Sequence, residues 1–490
     1  MFYLCLHKCF KIKINKKNII PLKKNFFYFI LLIFIHNLNG QVLEMDSLTV
    51  SRFGKVYIYK QPGIPGNIII LISGYSGWRS KVVDYAKSFA EKNTIVIGVD
   101  ILTYYSQLRP RREDCYLIAP DFVELATSVE RKYNFAGYIP PVIMGYSSGA
   151  TLVYGILAQA RPDAFIGGIS LGFSPDIELP RKLCQTNGLT ENVTTEGKSY
   201  RLHPDSRLGN HWIVLQGKKD KICNYDSVAD FVKKTVDAEL ITLPETSHDF
   251  SKLSDFMPQW KEAYNRILSK YISVEVENVK TKEFTNIPYN IIKEKTQVKN
   301  APIALLFSGD GGWFGFEQNI AEKLGAYGIP TIGIDTKKYF WNRKTPEKTA
   351  SDMAEMLNFY GHEWGKSQFI IIGYSQGAEI VPFLVTHFPD PLKSRVISAV
   401  MLSPATTTDF DIHITNMLGL GNRQNTYNVI GEINKMPKTN TLCIFGEGEK
   451  TTVPGLLKGT SVKISFIPGD HHYHGNAALI VKTMKDSNIF

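Results

Sequence analysis

The chain has 490 residues, 44% of them apolar and 21% charged, which is too long for one ordinary core and typical of a folded soluble protein. Its formal charge is +10, but Lys8, Lys11, Lys13, Lys16, Lys17, Lys23 and Lys24 supply seven of those charges ahead of the first acid, Glu44; without them +3 remains. A balance that even excludes a nucleic-acid footprint, and no nucleic-acid partner is expected.

In chain order, the lysines lead into the unbroken apolar run Phe26 to Ile35 and then His36-Asn37-Leu38-Asn39-Gly40-Gln41. A basic region, a short apolar region and a small residue at Gly40 read as a secretory signal peptide over 1–40. The apolar run is too short to span a bilayer comfortably. Leu38 stands where a cleavage site prefers a small residue, so an uncleaved anchor is the alternative. Export would permit a disulfide among Cys115, Cys184 and Cys223, whose pairing the sequence does not give. Cys443 lies in an apolar strand-like run and reads as a buried thiol. None of the cysteines has metal-ligand spacing.

Five landmarks then occur twice, in the same order. Apolar strands end in Ser73-Gly74-Tyr75-Ser76-Gly77-Trp78 and in Ser308-Gly309-Asp310-Gly311-Gly312-Trp313. Next come Gly98-Val99-Asp100 and Gly333-Ile334-Asp335, each closing an apolar run. The third pair is Gly145-Tyr146-Ser147-Ser148-Gly149-Ala150 and Gly373-Tyr374-Ser375-Gln376-Gly377-Ala378, with the serines 228 positions apart. Strands ending at Gly217 and Gly446 carry Asp220 and Glu449 three positions on, and His248-Asp249-Phe250 and His471-His472-Tyr473 complete the set. The chain therefore reads as two tandem α/β-hydrolase domains, 41–272 and 273–490, each a mostly parallel sheet flanked by helices. The stretch from Tyr271 to Asn300 reads as the boundary and holds an opening strand, with the alternating run Ile272-Ser273-Val274-Glu275-Val276 as an example. The long segments 173–210 and 404–440 read as small caps over each site.

A serine hydroxyl is a poor nucleophile until a histidine takes its proton and a carboxylate fixes that imidazole's tautomer. Strand, tight glycine-flanked turn with serine at its apex, and helix form a nucleophile elbow, whose partners follow in the order Ser, acid, His. The second half offers Ser375, Glu449 and His471; the first offers Ser147, Asp220 and His248. Ser to acid is 73 and 74 residues, and acid to histidine 28 and 22. Glu447 competes with Glu449, and the parallel with Asp220 favours Glu449. Sharing a His-x-aromatic pattern favours His471, whereas aligning the preceding prolines favours His472; a zinc site at His471, His472 and His474 lacks a supporting acid cluster. The oxyanion hole should use the N–H groups of Ser148 and Gln376, with a second donor from Tyr75-Ser76 or Asp310-Gly311. Asp310 would repel a developing oxyanion, so it reads instead as a holder of a cationic substrate group or as a salt-bridge partner of a nearby basic residue; Glu379 is a second candidate for the substrate role, against the plainer reading as a helix-surface residue. No cofactor or metal is expected.

Three motifs of the second half resemble a known family closely: Leu306 to Trp313, Tyr339-Phe340-Trp341-Asn342-Arg343-Lys344-Thr345-Pro346-Glu347 followed by Asp352, and Gly373 to Phe383. The family is the VirJ/AcvB virulence proteins of bacteria. The resemblance covers about residues 285–490, and the first half is similar in outline, like the longer AcvB-like members. It implies a periplasmic protein. For AcvB-like members it implies hydrolysis of an aminoacylated membrane phospholipid, releasing lysine from lysyl-phosphatidylglycerol; for VirJ it implies a link to type IV secretion. The rival expectations are a non-catalytic adaptor for secretion or exported proteins, and a generic esterase of other specificity.

Overall fold

The computed structural model describes residues 43–490 apart from 92, 112–113, 161–163, 186–188, 281–282, 314 and 413–425, and leaves aside the side chains of 272–280. The signal segment read over 1–40 lies outside the described residues. Among the described residues no helix is long and apolar enough to cross a membrane.

A strand covered on both faces must be apolar at nearly every position, and the runs of Ile, Val and Leu meet that demand. The first half forms β1 (Glu44–Val50), β2 (Gly54–Lys60), β3 (Asn67–Ile72), β4 (Thr94–Val99), β5 (Val142–Tyr146) and β6 (Gly167–Leu171). A small sheet of β7 (Asp176–Glu178), β8 (Glu191–Thr195) and β9 (Ser199–Leu202) follows, then β10 (Trp212–Gly217) and β11 (Ala238–Leu243). The main sheet runs β1-β2-β4-β3-β5-β6-β10-β11; the β1–β2 and β2–β4 pairings are antiparallel and the rest parallel. The second half forms β12 (Tyr289–Ile292), β13 (Ile303–Phe307), β14 (Thr331–Ile334), β15 (Phe369–Tyr374) and β16 (Val396–Leu402). After the short pair β17 (Thr407–Thr408) and β18 (Tyr427–Asn428) come β19 (Asn440–Gly446) and β20 (Lys463–Ile467). Its order is β12-β14-β13-β15-β16-β19-β20, with only β12–β14 antiparallel. With β1 set aside, the two strand orders coincide.

The period of two along each strand divides the core. Ile68, Ile70 and Ile72 of β3 enter one apolar cluster, and Ile69 and Leu71 enter the cluster on the opposite face. β13 repeats this with Ile303, Leu305 and Phe307 on one side and Ala304 and Leu306 on the other. Helices cover both faces of both sheets, so the loops at the strand ends are the accessible places for chemistry.

The Gly-x-Asp landmark has a packing cause. A Cβ on Gly98 would stand 2.1 Å from the Trp78 ring, and one on Gly333 would stand 2.1 Å from the Trp313 ring. The Asp two positions on accepts from the backbone of the same tryptophan: Trp78 N–H donates to Asp100 Oδ2 at 3.1 Å, and Trp313 N–H donates to Asp335. Glycine and acid together hold the loop that follows β3 or β13.

The alternating run Ile272 to Val276 is not a strand; it lies in the helix Met257–Lys280. That helix buries Trp260, Ala263, Tyr264 and Ile267 at helical spacing against the first sheet, and no Gly or Pro interrupts the residues that follow, so propagation continues. The expected boundary at 272/273 falls inside this helix, and the second sheet opens at β12. Of the two expected caps, 173–210 holds β7, β8 and β9, and 404–440 holds β17, β18 and the helix Val429–Ile433. Cys115 pairs with Cys184 across 69 positions, tying the first cap to the segment ahead of the helix Ala119–Lys132. Closing a loop of that size stabilises a chain by about 4 kcal/mol in the loop-entropy account. Cys223 and Cys443 are buried free thiols.

Substituting Gly333→Ala should cost about 1–3 kcal/mol, because the added methyl must displace the Trp313 ring. Gly315→Ala, where a Cβ meets nothing within 4 Å, should be near neutral. Urea unfolding of both variants checks this, and equal midpoints would contradict it.

Candidate active site

Ser147 and Ser375 stand at the ends of β5 and β15 with φ/ψ of 55°/−121° and 52°/−120°. Such a backbone is strained for a residue with a Cβ, at about 1–3 kcal/mol, and persists only where its surroundings enforce it. The flanking glycines do the enforcing. A Cβ on Gly373 would lie 2.1 Å from Gly377 O, and one on Gly377 would lie 2.5 Å from Ser308 O. The helices Ser148–Gln159 and Gln376–His387 therefore start directly beside each serine, with their first N–H groups free of intrahelical partners.

In the second half Ser375 Oγ is 3.0 Å from His471 Nε2, and His471 Nδ1 is 2.8 Å from Glu449 Oε1. The other carboxylate oxygen accepts from the Ser403 hydroxyl at 2.6 Å, and Ser403 in turn touches the Tyr473 hydroxyl at 2.5 Å. In the first half Ser147 Oγ is 2.9 Å from His248 Nε2, and His248 Nδ1 is 2.9 Å from Asp220 Oδ2. Asp220 also accepts from the backbone N–H of Ile222 and Cys223, both at 2.8 Å, and from Gln216 Nε2 at 3.0 Å. All six residues expected from the sequence are thus brought together, three in each half.

The competing residues lie elsewhere. Glu447 is exposed. His472 presents Nδ1 to the Tyr374 hydroxyl at 2.6 Å, and His474 is an exposed turn residue with φ 49°. Both ring nitrogens of His471 are taken by Glu449 and Ser375, so the three histidines do not converge on a common point. Asp220, Cys223 and His248 do place ligand-type atoms within 4.8 Å of one another. Burial and the nearby Asp220 push the Cys223 thiol up to about 12, and Asp220 and His248 bind each other. Sequence reasoning missed Gln216, Ser403 and Tyr473, which anchor the acids. Tyr473 sat in view in the His-x-aromatic pattern; Ser403 carried no local signal.

The loops Gly74–Gly77 and Gly309–Gly312 close on themselves, with Gly77 N–H donating to Gly74 O at 2.9 Å and Gly312 N–H to Gly309 O at 3.0 Å. They lie against the serines: a Cβ on Gly74 would be 3.1 Å from Ser147 Cβ, and one on Gly309 would be 3.4 Å from Ser375 Cβ. Tyr75-Ser76 and Asp310-Gly311 thus follow directly on the glycines that lie against the serines, and Ser148 and Gln376 follow directly on the serines themselves. Tyr75 is half exposed and meets Glu178 of the first cap.

The second site is strongly acidic. Its hydrogen bond to Glu449 raises the His471 pKa above the ordinary imidazole value, burial opposes, and the charges of Glu449, Asp310 and Asp470 add to the rise. Burial pushes Glu449 up, but hydrogen bonds from His471 and Ser403 carry it below the usual carboxylate value. Glu379, on the first turn of the helix after Ser375, goes the other way: burial is the main cause, Asp310 adds to it, and its pKa reaches about 7. Asp310 itself is exposed.

Two sheets of this order, each with a serine elbow, define a tandem α/β-hydrolase fold. A family model described as bacterial virulence protein VirJ matches residues 66–164 and 301–488, more than half of the chain and parts of both halves; the chain belongs to that family. No curated protein matches it. Among solved structures, a candidate dienelactone hydrolase from Klebsiella pneumoniae is 16% identical, over 46% of this chain and 98% of its own, with a TM-score of 0.34. The ferulic-acid complex of Est1E from Butyrivibrio proteoclasticus is 15% identical, over 41% of this chain and 94% of its own, at 0.33. A proline iminopeptidase from Mycobacterium smegmatis is 13% identical, over 41% and 95%, at 0.31.

Two predictions follow from the electrostatics. Glu449→Gln should cut ester turnover at Ser375 far more than Glu447→Gln, and should move the acid limb of its pH profile downward by removing the charge that raises His471; equal losses would contradict the geometry. Glu379 has a raised folded pKa, so its contribution to stability is complete below about pH 4.5 and is lost as pH rises through about 7. Melting temperatures of Glu379→Gln relative to the parent should therefore climb between pH 5 and 8, and a flat difference would count against it.

Proposed function

We propose that this chain is an exported serine esterase that cleaves the aminoacyl ester of an aminoacylated membrane phospholipid, such as lysyl-phosphatidylglycerol, in the periplasm. The observation that carries the esterase reading is the unbroken relay from Ser375 through His471 to Glu449, at 3.0 and 2.8 Å, on a strained elbow. In this reading Ser375 Oγ attacks the ester carbonyl as His471 Nε2 takes its proton. Glu449 holds the Nδ1–H tautomer and stabilises the imidazolium. The oxyanion is met by the N–H of Gln376 and one from Asp310-Gly311. His471 then protonates the departing glycerol oxygen, leaving an aminoacyl-serine. A water, deprotonated by His471, attacks that ester, and the amino acid leaves as the serine regains its proton.

The aminoacyl substrate is supported by the local charge. In this reading Asp310 and Glu379 meet the α- and ε-ammonium charges of the substrate, and an ammonium beside Glu379 would hold it ionised where burial alone favours the neutral acid. The compartment is supported by the signal segment of the sequence and by the Cys115–Cys184 disulfide, a bond suited to an oxidising environment. The first half carries an equivalent relay but lacks the Asp310 loop sequence, and in this reading the second half carries the main lipid activity.

The test measures amino-acid release from vesicles containing lysyl-phosphatidylglycerol. Ser375→Ala should lose about a thousandfold or more, while Ser147→Ala keeps most of the activity. A larger loss from Ser147→Ala would invert the assignment. Turnover of short esters without lysine release would place the substrate elsewhere, and neither activity in the parent protein would favour the adaptor.

A further inference from the structure

The segment Tyr339 to Glu347 joins the halves. Trp341 is 2% exposed and belongs to the apolar cluster of the first half, together with Tyr104, Phe122, Val129, Phe135 and Tyr138. Its indole Nε1–H donates to Phe135 O at 3.1 Å, and the next residue, Asn342, donates through Nδ2 to Ala136 O at 3.3 Å. The Arg131 guanidinium lies over the indole at 4.3 Å from the ring centroid. Lys337 of the second half, 4% exposed, sits 3.7 Å over the Tyr138 ring.

Arg131 also reaches on towards the catalytic elbow. Its Nη2 is 3.0 Å from Asp411 Oδ1. Asp411 O accepts from the Gln376 side chain at 2.8 Å, and Asp409 O accepts from it at 3.4 Å. Between them Phe410 is buried, its carbonyl taken by Lys344 N–H at 2.9 Å and its ring packed on Phe340 and Phe383. Gln376 is the residue after the serine, 4% exposed, and its backbone N–H faces the developing charge in the esterase reading. A helix of one half thus ends in a short line of directional contacts at the elbow of the other. The same helix brings Glu124 near Asp310: burial is the main cause of Glu124's raised pKa, and the Asp310 charge adds to it.

We infer that Arg131 of the first half is a positioning residue for the second active site, acting through Asp411 and the Gln376 side chain. The inference deepens the esterase reading and rests on it for its kinetic consequence. Stacked on Trp341, the guanidinium has its plane fixed, so it offers Asp411 a set direction as well as a charge. Asp411 then keeps the 409–411 carbonyls where the Gln376 amide needs them. Loss of this hold lets the elbow's first helical residue shift, and small displacements of an oxyanion donor are costly in rate. The first relay has no part in this line.

The experiment compares Arg131→Met, Arg131→Lys and the parent protein by two readouts. One is the rate at which a fluorophosphonate labels each serine, read on Ser375 in a Ser147→Ala background and on Ser147 in a Ser375→Ala background. The other is backbone hydrogen exchange over 405–412 and 376–387. Arg131→Met should slow Ser375 labelling about tenfold and speed exchange in both segments, while Ser147 labelling stays unchanged and reports an intact fold. Arg131→Lys, which keeps the charge and loses the fixed plane, should fall between. Unchanged exchange over 405–412, or equal slowing at both serines, overturns the inference. Faster exchange in Arg131→Met together with a Ser375 that the probe never labels in the parent supports the positioning and sinks the esterase reading instead.

Discussion

Backbone passes over backbone beside each serine at a separation that only a missing Cβ permits, and the sites are built outward from that contact. Gly377 lies on the carbonyl of Ser308 at the end of β13, and Gly373 lies on the carbonyl of Gly377. A methyl group at either point would push the helix off the strand ends. Because neither is there, the start of the helix, the tip of β15 and the loop after β13 meet within hydrogen-bonding reach of Ser375. The parallel order β15-β16-β19-β20 then delivers the other two groups, since the turns after β19 and β20 open at the same edge as the elbow. The first half repeats each step with Gly145 and Gly149.

The two halves reach one geometry with different materials. Asp220 has a short arm and is fully buried as a side chain; two backbone N–H groups and Gln216 fix it. Glu449 is one methylene longer and is fixed by hydroxyls, Ser403 backed by Tyr473. His248 is the more enclosed imidazole, with a side-chain exposure of 14% against 38% for His471. The six-residue difference in acid-to-histidine spacing is absorbed in the loops, which leaves the relay distances within 0.1 Å of each other.

Much of this was legible because it is local. An elbow is written in adjacent residues whose backbone permits little else, and continuous apolar runs reveal a sheet covered on both sides. Order along the chain picked out Ser375, Glu449 and His471, and the choice of His471 over His472 came from a neighbour's ring. What was not legible depends on residues far apart in sequence. Ser403 has no signature until β16 is laid beside β19. The run Ile272 to Val276 alternates like a strand, yet it continues a helix already committed by Trp260 to Ile267. The Tyr339–Glu347 segment marks the family in sequence, but nothing in it tells that Trp341 is a core residue of the other half. Two of its other positions have plain structural jobs: Thr345 caps the helix Pro346–Glu363, and Tyr339 donates to Asp352 at 2.7 Å.

The lodging of Trp341 in the first half's interior bears on how the two halves come together. The first half is complete in sequence by Tyr271, yet one member of its apolar cluster is encoded about 70 residues later. Until that indole arrives, the apolar cluster that holds Val129, Phe135 and Tyr138 lacks one of its members. The first half is therefore completed by a residue of the second, and a chain cut between the two would leave that cluster short.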